Sequence, residues 1–77
     1  MNLSMYIDRE GHGALADLSR KIGAFAPDVS RWASGKRPIP VERCVAIEQA
    51  TNGEVTRRDL RPDDWHLIWP ELADKER

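Results

Sequence analysis

Arg20, Lys21, Arg31, Lys36 and Arg37 are permanent cations set close together in the chain, and Pro27, Asp28, Ser30 and Ser34 are interleaved with them. Side chains of these types recognise anions and base edges. An arginine fork matches guanine N7 and O6 in the major groove, hydroxyls can donate to phosphate or to a base, and loop cations meet backbone phosphates. Groups arranged for bond-making are missing from the pattern. There is no glycine-rich phosphate loop, no ordered Ser/His/Asp set, and a single cysteine with two distant histidines gives no zinc spacing. Asp63-Asp64 followed by His66 reads as a helix start. The residues therefore point to a binding protein that is not an enzyme and needs no metal, cofactor or small-molecule substrate.

The elements that must position these side chains can be read from the apolar spacing. Leu15, Leu18 and Ile22 share one face of a helix over about Ala14–Ile22, with small Ser19 beside them and Gly23 directly after. Glycine can adopt the left-handed conformation that turns the chain sharply. A next helix over about Ala26–Ser34 follows, carrying Val29 and Trp32 at an i, i+3 interval and tolerating Pro27 in its first turn. Two short helices joined in this way, with a small residue at the crossing, make a helix-turn-helix. With Val29 inward, Pro27, Ser30, Arg31 and Ser34 face outward at 100° per residue and Asp28 sits on the flank. Arg31 is then the strong base reader. Asp28 either accepts from a cytosine amino group, pairs with Arg31, or simply favours the positive end of its helix. Lys36 and Arg37, in the loop after Gly35, reach phosphates, as do Arg20 and Lys21. Phe25 stands where a polar cap is preferred and is read as a possible hydrophobic contact at the turn.

The remaining chain supplies the support. Asn2 caps a first helix running to about Glu10, with Leu3, Tyr6 and Ile7 as its stripe. Pro40 opens a fourth helix whose Val41, Cys44, Val45 and Ile47 form an apolar arc closed by Asn52-Gly53; Cys44 reads as a small buried hydrophobe. Glu48 falls inside that arc and needs an arginine or backbone amides as partner. Thr56-Arg57-Arg58-Asp59 fits a capping box, Leu60 plugs the core, and Pro62 opens a last helix stopped by Pro70. On it Trp65, Ile68 and Trp69, with Leu72 beyond, have two readings: core, or a dimer surface. The expected architecture is an all-α domain of about five helices over residues 1–72, with a frayed tail at 73–77.

Composition bounds the function. At 77 residues the chain makes one small domain without room for a large substrate cavity. It has no apolar run long enough to span a membrane, no signal-peptide pattern and no possible internal disulfide, so the expected compartment is the cytoplasm. Net charge is only −1, but it is unevenly spread. From Leu18 to Arg43 there are six basic and two acidic residues, +4 in all; from Cys44 to the end there are five and eight, or −3. A basic helix pair ahead of an acidic C-terminal part suits a DNA face and a separate solvent or partner face.

Gly23, Val29-Ser30, Trp32, the run Ser34 to Pro40, Glu42-Arg43-Cys44, Ala46-Ile47-Glu48, Ala50-Thr51, Gly53, Val55-Thr56, Asp59-Leu60-Arg61-Pro62 and Trp69-Pro70 carry a further signal. Together they resemble the YdaS-like, Cro-type helix-turn-helix regulators of prophages, over about Ala14 to Leu72. The resemblance implies a λ-repressor-like domain that binds double-stranded operator DNA, with Ser30 and Arg31 on the outward face and Lys36 and Arg37 in the basic loop. A homodimer on a pseudo-palindromic operator is the expected assembly. Some relatives are described as toxins or antitoxins, so the competing class is a module whose acidic C-terminal part, with Trp65 and Trp69, docks a protein. This chain departs from the pattern at Phe25, usually Ser or Thr, and at Ala26, usually Gln; the amide that would read adenine is missing.

Overall fold

The computed structural model describes residues 1–75, with side chains through residue 73. Among the described residues the chain is all helical: α1 Leu3–Glu10, α2 Ala14–Ile22, α3 Ala26–Ala33, α4 Val41–Ala50, α5 Arg57–Leu60, α6 Trp65–Ile68 and α7 Pro70–Lys75. Each long helix begins and ends for a local reason. Asn2 Oδ1 accepts from the Met5 amide at 2.8 Å and so caps α1. Gly23, at φ +70°, ends α2 in the left-handed region; its N–H and that of Ala24 satisfy the Arg20 and Ser19 carbonyls at 3.3 and 2.9 Å. Thr56 and Asp59 form the reciprocal capping box of α5.

α2 packs on α3 and α4, while α1 covers α2 and α3. Their shared core is Leu3, Leu18, Ile22, Val29, Ile39, Cys44, Ile47, Val55, Leu60 and Trp69. Ser19 is buried, and its hydroxyl donates to the Leu15 carbonyl at 2.7 Å, so this small polar residue is satisfied within its own helix while α3 lies close. Buried Thr51 works in the same way after α4: its hydroxyl donates to Ile47 O at 2.9 Å and accepts from the Val55 amide at 3.2 Å. That closure sets Val55 fully into the core. Glu48, half-buried, finds the two partners its position demands. It accepts from the Arg57 amide at 2.8 Å and faces the Arg57 guanidinium at 3.3 Å.

The C-terminal third differs in detail from the expected five helices. Pro62 does not open a helix. Residues 62–64 form a turn instead, spanned by Arg61 reaching forward to Asp64 with two bonds of 3.0 and 2.8 Å, and α6 starts only at Trp65. Pro70 ends nothing that is still helical; it opens α7, where its missing N–H costs no hydrogen bond and Glu71 suits the first turn. The helical chain thus passes residue 72 and reaches Lys75, three residues into the expected frayed tail; 76 and 77 lie outside the described residues.

Candidate nucleic-acid interface

α3 is held by Val29, which has no exposed surface, and by half-buried Trp32 and Ala33. With that side fixed, Pro27, Ser30, Arg31 and Ser34 are all exposed, as the helical spacing requires. Asp28 is on the flank, in the first turn of α3, and pairs with Arg31 at 3.1 Å across one turn. Both side chains keep 40% or more of their surface in water. One arginine nitrogen meets Asp28, out of the five N–H donors of a guanidinium. The Ser34 hydroxyl donates to the Arg31 carbonyl at 3.1 Å and retains its lone pairs for an incoming donor.

The basic loop is not a loose appendage. The Lys36 amide donates to the Arg31 carbonyl at 3.0 Å, so the first loop cation is tied to the end of α3. Ile39 is buried, and its carbonyl accepts from Arg61 Nη1 at 2.6 Å while the same guanidinium grips Asp64. The Asp64 partnership holds Arg61 above the usual arginine range and the Asp64 carboxyl below the usual carboxylate range. Lys36 and Arg37 themselves are exposed between these two anchors. Arg61 is the residue that sequence reasoning missed. Its signal was present as an arginine directly before a proline, two residues ahead of an acidic pair, but only the fold brings the Ile39 carbonyl to it.

The upstream cations are placed otherwise. Arg20 is exposed and hydrogen-bonded to Asp17 one turn earlier. Lys21 lines a groove with Tyr6, Glu10, His12, Ala14, Asp17, Leu18 and Ala50, to which α3 and its following loop contribute nothing. Arg43, counted in the basic segment, donates to the Ile22 carbonyl at 2.8 Å and secures the end of α2 against α4. Arg31, Lys36 and Arg37 are thus joined through one helix end, while Lys21 faces the α1–α4 side.

The apolar residues near the C-terminus are drawn inward. Trp69 is buried in the core, and Trp65, Ile68 and Leu72 pack half-buried against it. The Arg57 guanidinium lies 5.3 Å from the Trp69 ring centre and Arg58 lies 5.1 Å from that of Trp65. The apolar side chain most open to water here is Leu67, on the other side of α6. Cys44 is fully buried, its thiol donating to the Pro40 carbonyl at 3.5 Å, and burial pushes its pKa up to about 11. Among the described residues no cluster of His, Cys, Asp and Glu could hold a metal, and no helix is long and apolar enough to cross a membrane.

An all-α domain whose second and third helices meet at a glycine turn, with the outward side of the third followed by a basic loop, belongs to the helix-turn-helix class. The chain belongs to the YdaS family: the family model described as Bacterial toxin YdaS matches residues 6–68. It is similar to the Escherichia coli (strain K12) protein named "Putative transcriptional regulator YdaS", with 48% identity over 57 residues, covering 73% of this chain. The chain spans 58% of that relative's length.

Proposed function

We propose that this chain is a transcriptional regulator of the Cro type that binds double-stranded operator DNA, laying α3 in the major groove. The observation that carries the reading is the joint placement of Arg31, Lys36 and Arg37. Arg31 stands exposed on the helix side opposite buried Val29, and the Lys36 amide is bonded to Arg31's own carbonyl, so the start of the basic loop is tied to the helix that carries the base reader. Arg31 pairs bidentately with guanine; Pro27, Ser30 and Ser34 line the groove side; Lys36, Arg37 and Arg20 meet phosphates. Lys21 joins them only in turning from the groove that it lines with Glu10 and Asp17. The relative named as a transcriptional regulator supports the reading.

A helix with one strong reader specifies few base pairs, so the protein acts as a homodimer on two half-sites about 34 Å apart. Trp69 is buried in the core and Trp65, Ile68 and Leu72 pack half-buried against it, which leaves little apolar surface for a dimer in solution. Pairing therefore takes place on DNA, where adjacent half-sites raise the local concentration. Prophage immunity is the setting and the bacterial cytoplasm the compartment. The experiment is selection from a random duplex library. A regulator of this kind enriches an inverted repeat containing a guanine that is no longer selected by Arg31→Ala. Retention of no duplex above background would refute the reading. The competing role, a toxin–antitoxin or protein-docking component, draws on the family description and on exposed Leu67. It is favoured if growth arrest on expression persists in Arg31→Ala and is lost in Leu67→Glu.

A further inference from the structure

Phe25 is a large apolar side chain held out in water at the start of the recognition helix. It occupies the N-cap of α3 at φ −75° and ψ 126°, makes no side-chain cap hydrogen bond, and leaves 68% of its surface in water. The position calls for Ser, Thr, Asp or Asn, whose oxygen would satisfy a first-turn amide. Here the backbone does that work alone: the Phe25 carbonyl accepts from the Asp28 and Val29 amides at 3.0 and 3.2 Å, and Phe25 is not one of the residues that build the core. A scattered surface phenylalanine would call for no explanation. This one stands at the end of the recognition helix that enters a groove first, two residues before exposed Pro27 and ahead of Arg31 in the chain.

We infer that Phe25 reads thymine through its C5-methyl group, a role that rests on the operator-binding reading above. Of the four bases only thymine offers a methyl in the major groove, and phenylalanine is one of the side chains that meet it by apolar contact. The cationic residues on either side in sequence bring the polyanion to the ring, whose own contribution is free of charge and hence selective without being sticky. Pro27 extends the same apolar edge by one residue and keeps the first turn rigid. The chain has thus given up a helix cap at a position where an apolar group meets the base edge. Ser34 and Ser30, being hydroxylic, have no comparable contact with a methyl.

The test uses two random duplex libraries, one containing thymine and the other uracil, which lacks only the methyl. The protein should enrich a thymine position beside the Arg31 guanine, and the corresponding uracil should be enriched about fourfold less, the value of one buried methyl. Phe25→Ser should lose the preference in the thymine library, keep the guanine, and melt no lower than the parent, since serine supplies the missing cap. Equal enrichment of thymine and uracil overturns the inference, as does retention of the preference in Phe25→Ser. Selection of the guanine with no thymine position also overturns it while leaving operator binding intact. Failure to enrich any position in either library overturns the operator reading itself, and this inference with it.

Discussion

Replacing Asp28 by asparagine should move stability and DNA affinity in opposite directions. In the free protein Asp28 does two things. It neutralises Arg31 at 3.1 Å and sits in the first turn of α3, where a negative charge complements the helix dipole. Two unit charges at that distance attract by about 1.3 kcal/mol in bulk-water dielectric. The side chains are 44% and 40% exposed, so screening and lost rotamer freedom reduce this to about 0.2–1 kcal/mol. The dipole adds about 0.3–1 kcal/mol. The variant should therefore be less stable by about 1 kcal/mol, a fall in melting temperature of about 4–8 °C for a domain of this size. On DNA the balance reverses. Removing a carboxylate near phosphates and freeing the Arg31 fork should raise affinity for duplexes of any sequence by about two- to fivefold, equivalent to about 0.5–1 kcal/mol. Thermal melts and fluorescence anisotropy at a fixed salt concentration measure both. An unchanged melting temperature together with a loss of affinity confined to one C·G position would refute the reasoning, because Asp28 would then be a base contact and not a restraint on Arg31.

Arg61→Ala removes the charge-assisted bond to the Ile39 carbonyl and should destabilise the chain by about 1–3 kcal/mol; hydrogen exchange should show faster opening in the Lys36–Ile39 loop than in α2, whereas uniform acceleration would deny it a local role. The carboxyls of Glu54 and Asp64 are held low by their bonds to Arg9 and Arg61. Groups with depressed folded pKa values add stability above their ordinary values of 4.5 and 3.8 and lose it as pH falls through the folded ones. The urea midpoint should accordingly drop below about pH 4.5, and less so in Glu54→Gln with Asp64→Asn; an equal drop in the double variant would contradict this. Sedimentation should show monomer alone and two chains on a full operator; equal affinity for half and full sites, with one chain on each, would exclude the dimer.

The parts legible in the sequence were those fixed by local chemistry. Asn2, Gly23 and the Thr56–Asp59 box each satisfy backbone groups within a few residues, and their elements lie where the spacing placed them. The outward side of α3 followed from one buried residue, Val29, and a 100° step. Where a distant partner intervenes, the spacing misleads. Pro62 is a sound helix starter, but residues 62–64 form a turn across which Arg61 bonds both Asp64 and the distant Ile39 carbonyl. Trp65 and Trp69 share a helical face in the sequence, yet the packing buries Trp69 and only half-buries Trp65, with Arg57 and Arg58 over their rings. Lys21 belonged to the basic segment by sequence, yet the rotation of α2 on α1 and α4 sets it among acidic neighbours.

The claim that α3 and its following loop form a DNA-binding face is tested most directly by the salt dependence of duplex affinity in Lys36→Ala/Arg37→Ala. Neither side chain is buried, so the fold should survive the change. Each phosphate contact contributes about 0.9 to the slope of log affinity against log salt. The double variant should bind operator and random duplexes more weakly alike, with a slope about 2 units shallower than the parent. An unchanged affinity and an unchanged slope would contradict the account.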